Sequence, residues 1–246
     1  MAIRAENLTV SYGRTTILHS LSFGPLEPGK VVGLIGPNAA GKSTLVKTIA
    51  GIKEPAEGSV TLSVDDAELV GKQKVQAVGY VPQDLLSSAS LTAFESIMVS
   101  ARRRGDASWD PLDRSAAVME RLGITHLADR LVSDMSGGQR QRAYVAMVLC
   151  QETDYVLLDE PLNNLDISHS VEMMRHLHDA ARDLGRTVIV VLHDINFAAR
   201  YADHICAVKE GQIVAFGTPD QVIQSQLLTE IFDTDIDVVE TSRGPV

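Results

Sequence analysis

Residues 36–44 read GPNAAGKST, and Gly36, Gly41, Lys42 and Ser43 fit the pattern G-x-x-x-x-G-K-[ST]. Such a loop works because consecutive backbone N–H groups wrap phosphates while the following helix aims its positive end at them. On that reading Gly36, Pro37, Asn38, Ala39, Ala40, Gly41, Lys42, Ser43 and Thr44 surround the phosphates of a nucleotide. Lys42 reaches the β- and γ-phosphates, and Ser43 offers its hydroxyl to Mg²⁺, with Thr44 on the adjoining turn. Position 39 is unusual, because many such loops place glycine there, where φ is positive. If Ala39 is left-handed, its methyl costs roughly 1–2 kcal/mol of local strain. Its amide N–H is kept, so the expectation is a working loop.

Two further stretches carry chemistry. YVLLDEP places Asp159 at the end of an apolar run, where a carboxylate can hold Mg²⁺ from the side opposite Ser43. Glu160 follows directly and is the candidate general base, orienting and polarising a water that attacks the γ-phosphate. In MSGGQRQR, Ser136 is a good helix N-cap, and Gly137 and Gly138 leave the backbone bare for close approach to an anion. A Ser-Gly-Gly helix start is common by itself; here it stands beside a phosphate loop and an acidic strand end.

The elements that must position these residues are readable. VVGLI (31–35) is a short apolar run entering the glycine loop, and STLVKTIAGI after it has helical character. YVLLD (155–159) and TVIVVLH (187–193) are two more buried-strand candidates. Between them Ile167, Val171, Met174, Leu177, Ala181 and Leu184 recur at helical spacing, with Gly185 as a stop. Strand, helix and strand in this order predict a βαβ unit and a parallel sheet covered by helices. Residues 1–25 and 58–82 read as an antiparallel sheet beside it, and residues about 87–150 as an inserted helical subdomain. HICAVKEGQIVAFG reads as two strands around a Glu-Gly turn, and DQVIQSQLLTEIF as a closing helix. The expected fold is therefore α/β, with a mostly parallel sheet, an antiparallel β subdomain and a helical insertion, all within one domain over 1–246.

Composition narrows the function classes. Of 246 residues, 45% are hydrophobic and the formal net charge is −10, so no general basic surface invites a nucleic-acid backbone. Arg102-Arg103-Arg104 is the one dense basic run, read as a solvated helix end rather than a nucleic-acid patch. Cys150 and Cys206 lie in apolar stretches and read as buried free thiols of a reduced compartment. Neither a signal peptide nor a membrane-spanning run of apolar residues is expected.

With the three motifs in this order, the chain resembles the ATP-binding cassette family of transporter ATPases over nearly its whole length. MSGGQ is close to the family signature LSGGQ, and Met135 for leucine conserves volume. The resemblance implies ATP and Mg²⁺ as ligands and adds further site residues. Tyr12, in VSYG, matches the aromatic that stacks on adenine. Gln83, in GYVPQD, matches the glutamine that touches Mg²⁺ and the attacking water. His193, in VLHD, matches the histidine that contacts the γ-phosphate. Asp166, in NNLD, matches the loop aspartate that communicates across a dimer; the family often has Ser-Ala where this chain has Asn163-Asn164.

The same resemblance implies a head-to-tail homodimer, in which Ser136, Gly137, Gly138 and Gln139 complete the partner's site in trans. It also implies two integral membrane permease subunits, an extracytoplasmic substrate-binding protein acting through them, and a peripheral position on the cytoplasmic face of the membrane. LLDEPLNNLDISHSVEMMRHL and HDINFAARYADHI are most similar to ATPases of ferric-siderophore importers. Haem and cobalamin importers share versions of these stretches, and a non-transport regulatory cassette is the alternative of a different class. Lys42 and Ser136 lie only about 94 positions apart without sustained heptads, which disfavours coiled-coil chromosome or repair ATPases.

Overall fold

Val31–Ile35, Tyr155–Leu158 and Thr187–Val191 form strands in which every residue is buried. A strand buried on both faces must lie inside a covered sheet, and these are β3, β7 and β8 of a six-stranded one. In the computed structural model, which describes residues 2–83, 90–101, 110–241 and 244–245, the order is β10-β9-β3-β8-β7-β6. Here β6 is Val78–Val81, β9 is His204–Lys209 and β10 is Gln212–Gly217. Pairing is parallel from β9 to β6, and β10 adds an antiparallel edge.

Two-residue periodicity sends the central strands into two cores. Val31, Ile35, Val156, Leu158, Val188 and Val190 face one; Val32, Leu34, Tyr155, Leu157, Ile189 and Val191 face the other. The first core is closed by helices, among them α5 (Gly137–Cys150), α6 (Ile167–Leu184) and α7 (Ile195–Tyr201). The second lies between the parallel sheet, α1 (Lys42–Ile49) and a four-stranded antiparallel sheet of order β2-β1-β4-β5. Those strands are β1 (Ala2–Tyr12), β2 (Thr15–Leu26), β4 (Glu57–Val64) and β5 (Ala67–Glu68). Tyr155 ties the two sheets together, its hydroxyl sitting between the carbonyls of Ala2 and Ser63.

Some elements differ from what the sequence predicts. The stretch 58–82 is divided: β4 and β5 join the antiparallel sheet, a short helix α2 (Lys72–Ala77) follows, and β6 pairs in parallel with β7. The buried face of α6 is Ser170, Met173, Met174, Leu177, Ala180 and Ala181, while Ile167 and Leu184 are 78% and 51% exposed. The apolar stripe is therefore shorter at both ends than its sequence pattern. The closing segment forms two helices, α8 (Pro219–Val222) and α9 (Ser225–Phe232), broken at Ile223 and Gln224.

Between β6 and α5 the described residues form α3 (Ala93–Ala101), α4 (Pro111–Arg121), two short 3₁₀ turns and one isolated bridge from Thr92 to Leu131. Arg102-Arg103-Arg104 lies outside the described residues. Cys150 and Cys206 are buried free thiols, and burial raises both above the ordinary thiol range. Among the described residues no helix is long and apolar enough to cross a membrane.

Candidate nucleotide site

The loop after β3 turns where no ordinary side chain fits. Gly36 has φ +141°, and a Cβ there would lie 1.9 Å from the Val208 carbonyl oxygen on β9. The loop is braced from the β9–β10 turn, where Gly211 N–H donates to Ala40 O at 3.0 Å. Ala39 stands at φ +61°, so the alanine does occupy left-handed backbone, with its roughly 1–2 kcal/mol of strain. Gly41 caps α1, and no side chain caps that helix start.

Lys42, 5% exposed, curls back over the loop and donates to Gly36 O at 2.7 Å and Pro37 O at 2.8 Å. Burial lowers its pKa from the ordinary value, against the opposing pull of Glu160 and Asp159. The loop thus holds a desolvated ammonium beside two carboxylates, a cation prepared for strong anionic ligands.

The second wall is the end of β7. Asp159 is fully buried and accepts from Ser43 Oγ at 2.8 Å across 116 residues of sequence. Tyr80 Oη on β6 lies 3.5 Å from its other oxygen. Burial raises Asp159 above the ordinary carboxylate range, while the Ser43 hydrogen bond and Lys47 pull it down. Burial and the neighbouring Asp159 likewise raise the Tyr80 phenol, which keeps its proton.

Glu160, 8% exposed, also has left-handed backbone, at φ +54°. Three nitrogens converge on its carboxylate: Gln83 Nε2 at 2.7 Å and Asn163 Nδ2 at 2.6 Å on Oε2, and His193 Nε2 at 2.6 Å on Oε1. A carboxylate only accepts, so the nearer His193 nitrogen carries the proton toward it.

One open cleft of about 830 Å³ gathers part of this set. Its lining takes in Asn38 through Thr44 from the loop, then Gln83, Glu160 and His193, with Tyr12 and Ile17 from the β1–β2 hairpin. Tyr12 is 48% exposed, and Lys53 Nζ stands 4.7 Å from its ring centroid, within cation–π range.

The signature residues lie elsewhere, and none of Ser136–Gln139 lines that cleft. Ser136 and Gln139 close a capping box on α5, at 3.3 and 3.1 Å. Gly137 and Gly138 pack against the loop after β7: a Cβ on Gly138 would lie 2.9 Å from Asn164 O, and one on Gly137 3.2 Å from Asn164 Cβ. Asp166 caps α6, accepting from His169 N–H and lying beside the His169 ring, each at 2.8 Å, contacts that hold its pKa below the usual range.

Sequence reasoning did not single out Tyr80, Lys53 or the side chain of Asn163. Tyr80 lies three positions before Gln83 in GYVPQ, and strand alternation could have pointed it at Asp159. Nothing in the sequence announces the Asn163 contact, which depends on the turn closed by Asn163 N–H on Glu160 O at 3.3 Å.

Glycine loop and acidic strand end meet beyond the carboxyl ends of β3 and β7, where open parallel sheets bind their ligands. That arrangement defines the class of P-loop nucleotide-binding α/β proteins. Within this class the chain belongs to the ABC transporter family, whose sequence profile matches residues 18–163. It is 45% identical over 219 residues to the petrobactin import ATP-binding protein FatE of Bacillus anthracis, covering 87% of this chain and 86% of FatE. It is 39% identical over 238 residues to the ferric enterobactin transport ATP-binding protein FepC of Escherichia coli K12, covering 94% and 86%. Among solved structures, the dimeric bacterial ABC transporter cassette MJ0796 superposes with a TM-score of 0.78 at 26% identity, over 88% of this chain and 98% of that one.

Proposed function

We propose that the chain is the ATP-hydrolysing subunit of an importer that carries an iron–siderophore complex across the cytoplasmic membrane. The observation that carries the chemistry is the convergence of Lys42, Ser43 and Glu160 on one cleft, with the buried Asp159 hydrogen-bonded to Ser43 behind its wall. The relatives FatE and FepC, named for petrobactin and ferric enterobactin, support the cargo class. The whole chain acts as one nucleotide-binding unit, with residues about 87–150 as its helical subdomain.

In this reading residues 36–44 wrap the triphosphate, Lys42 leaves its two carbonyls for the β- and γ-phosphates, and Tyr12 stacks on the adenine. Glu160 takes the proton of the attacking water, and His193 and Gln83, already on its carboxylate, orient the γ-phosphate and that water. The donor set at Ser43 fits Mg²⁺. It offers hard oxygens, and the Asp159 carboxylate carries a charge that burial opposes and a cation would relieve. When bound, that ion neutralises charge developing on the phosphates; Ser43, Asp159 and Gln83 would hold it.

Because none of Ser136–Gln139 lines the cleft that holds Lys42, a second copy placed head to tail supplies them in trans. Asp166 then lies on the loop joining the two sites. Two permease subunits with their substrate-binding protein receive the stroke through the Gln83 region and the helical subdomain at the cytoplasmic face of the membrane.

Uptake of radiolabelled iron in a strain lacking this chain tests the cargo. Uptake from at least one of catecholate, hydroxamate or mixed siderophores is expected to fail, returning with the parental chain but not with Glu160→Gln. Parental uptake of all three, with loss of haem or cobalamin uptake instead, would overturn the assignment.

A further inference from the structure

Glu160 separates two cavities. In front is the nucleotide cleft with Lys42, Ser43 and Gln83; behind is a pocket of about 240 Å³ that Asn163 lines with Leu162, Leu165 and Phe197. Glu160 and His193 line both, whereas Gln83 lines only the front and Asn163 only the rear. The Glu160 Oε2 atom therefore accepts one donor from each side, at 2.7 Å from Gln83 and 2.6 Å from Asn163.

These donors are not equivalent. A water that approaches a γ-phosphate enters the front cleft and competes with Gln83 for Oε2. It does not meet Asn163, whose bond can persist through the reaction. Asn163 is itself fixed. Its backbone N–H closes a turn on Glu160 O, Asn164 follows in left-handed backbone at φ +66°, and Gly137 and Gly138 of α5 pack against Asn164.

We propose that Asn163 is a positioning residue for hydrolysis: it holds the Glu160 carboxylate from behind so that its front lone pairs face the water. The inference rests on Glu160 being the general base. One hydrogen bond to a charged group is worth enough to change a rate about tenfold when lost. A serine at this position still offers a hydroxyl donor.

The test is single-turnover ATP hydrolysis and equilibrium ATP binding by the full chain carrying Asn163→Ala, Asn163→Ser or Asn163→Asp, with thermal unfolding alongside. Asn163→Ala is expected to lower kcat about tenfold with KM and ATP affinity unchanged. Asn163→Ser should restore most of the rate. Asn163→Asp, equal in size but bringing a carboxylate against Glu160, should lose more than alanine does. In a Glu160→Gln background, Asn163→Ala should cost nothing further. Parental kcat in Asn163→Ala, equal losses in the alanine and serine variants, or a KM that rises with the fall in kcat would each overturn the proposal. Hydrolysis at the parental rate by Glu160→Gln alone would instead remove the general-base reading beneath it, a separate outcome.

Discussion

The two anion-seeking regions of this chain are built in opposite ways. The loop 36–44 buries Gly36 and Ala40 through Lys42, is strained at Ala39 and meets its acidic counterpart within the chain, Ser43 on Asp159 at 2.8 Å. The signature turn is unstrained and closed on itself by a capping box, and its glycines meet Asn164 and Leu165 of their own chain. One region is a nearly complete site. The other is a preformed surface that, in the proposed function, a second copy uses. In the proposed function, the difference places strain and desolvation where phosphate chemistry is done and leaves the trans-acting half only rigid and bare.

The sharpest way to break that comparison is Glu160→Gln. Loss of a general base should slow hydrolysis about 100-fold or more while ATP binding, measured by equilibrium titration, persists. Retention of turnover would place the chemistry outside this cleft.

Asp159→Asn probes the desolvation. The folded-state pKa of Asp159 is raised by burial, so its contribution to stability is present below the unfolded pKa and lost as pH rises through the folded one. Asparagine removes that loss and still accepts from Ser43. Its nucleotide-free Tm should exceed the parental Tm at neutral pH, the gap shrinking as pH falls through the raised folded value. Mg²⁺-dependent hydrolysis should be lost in the same variant. A lower Tm at neutral pH would show that the buried charge is not a burden.

The smallest effect is expected from Ala39→Gly. Glycine relieves about 1–2 kcal/mol of left-handed strain but regains about 0.4–1 kcal/mol of unfolded-state freedom. Net stabilisation should therefore be about 1 kcal/mol or less by denaturant unfolding, with ATP turnover within about twofold of the parent. A large rise in turnover would mean that the methyl had been obstructing phosphate.

Much of this was legible in the chain. VVGLI, YVLLD and TVIVV read as buried strands because they are continuous apolar runs, and GPNAAGKST reads as a phosphate loop because its glycine spacing has a mechanism. The left-handed backbone at position 39 was also foreseeable from the glycine usual there. Other features depend on tertiary placement. Ile167 and Leu184 continue the apolar stripe of α6 yet are exposed, since a helical pattern does not say where the packed face stops. VGYV could not declare which sheet it would join until β7 was beside it. Tyr80 meets Asp159 only once β6 pairs beside β7, and the contact of Asn163 with Glu160 arises from a turn that no periodicity encodes.

The central claim, that each working site joins one chain's loop to another's signature, is tested most directly by mixing two inactive variants. Lys42→Ala breaks the loop, and Ser136→Arg blocks the signature surface. Ser136 is preferred to Gly138, where a side chain would also strike Asn164 within its own chain. Neither variant should hydrolyse ATP alone, but a mixture should regain activity, because a hybrid dimer contains one intact loop facing one intact signature. A mixture no more active than its separate components would contradict the account.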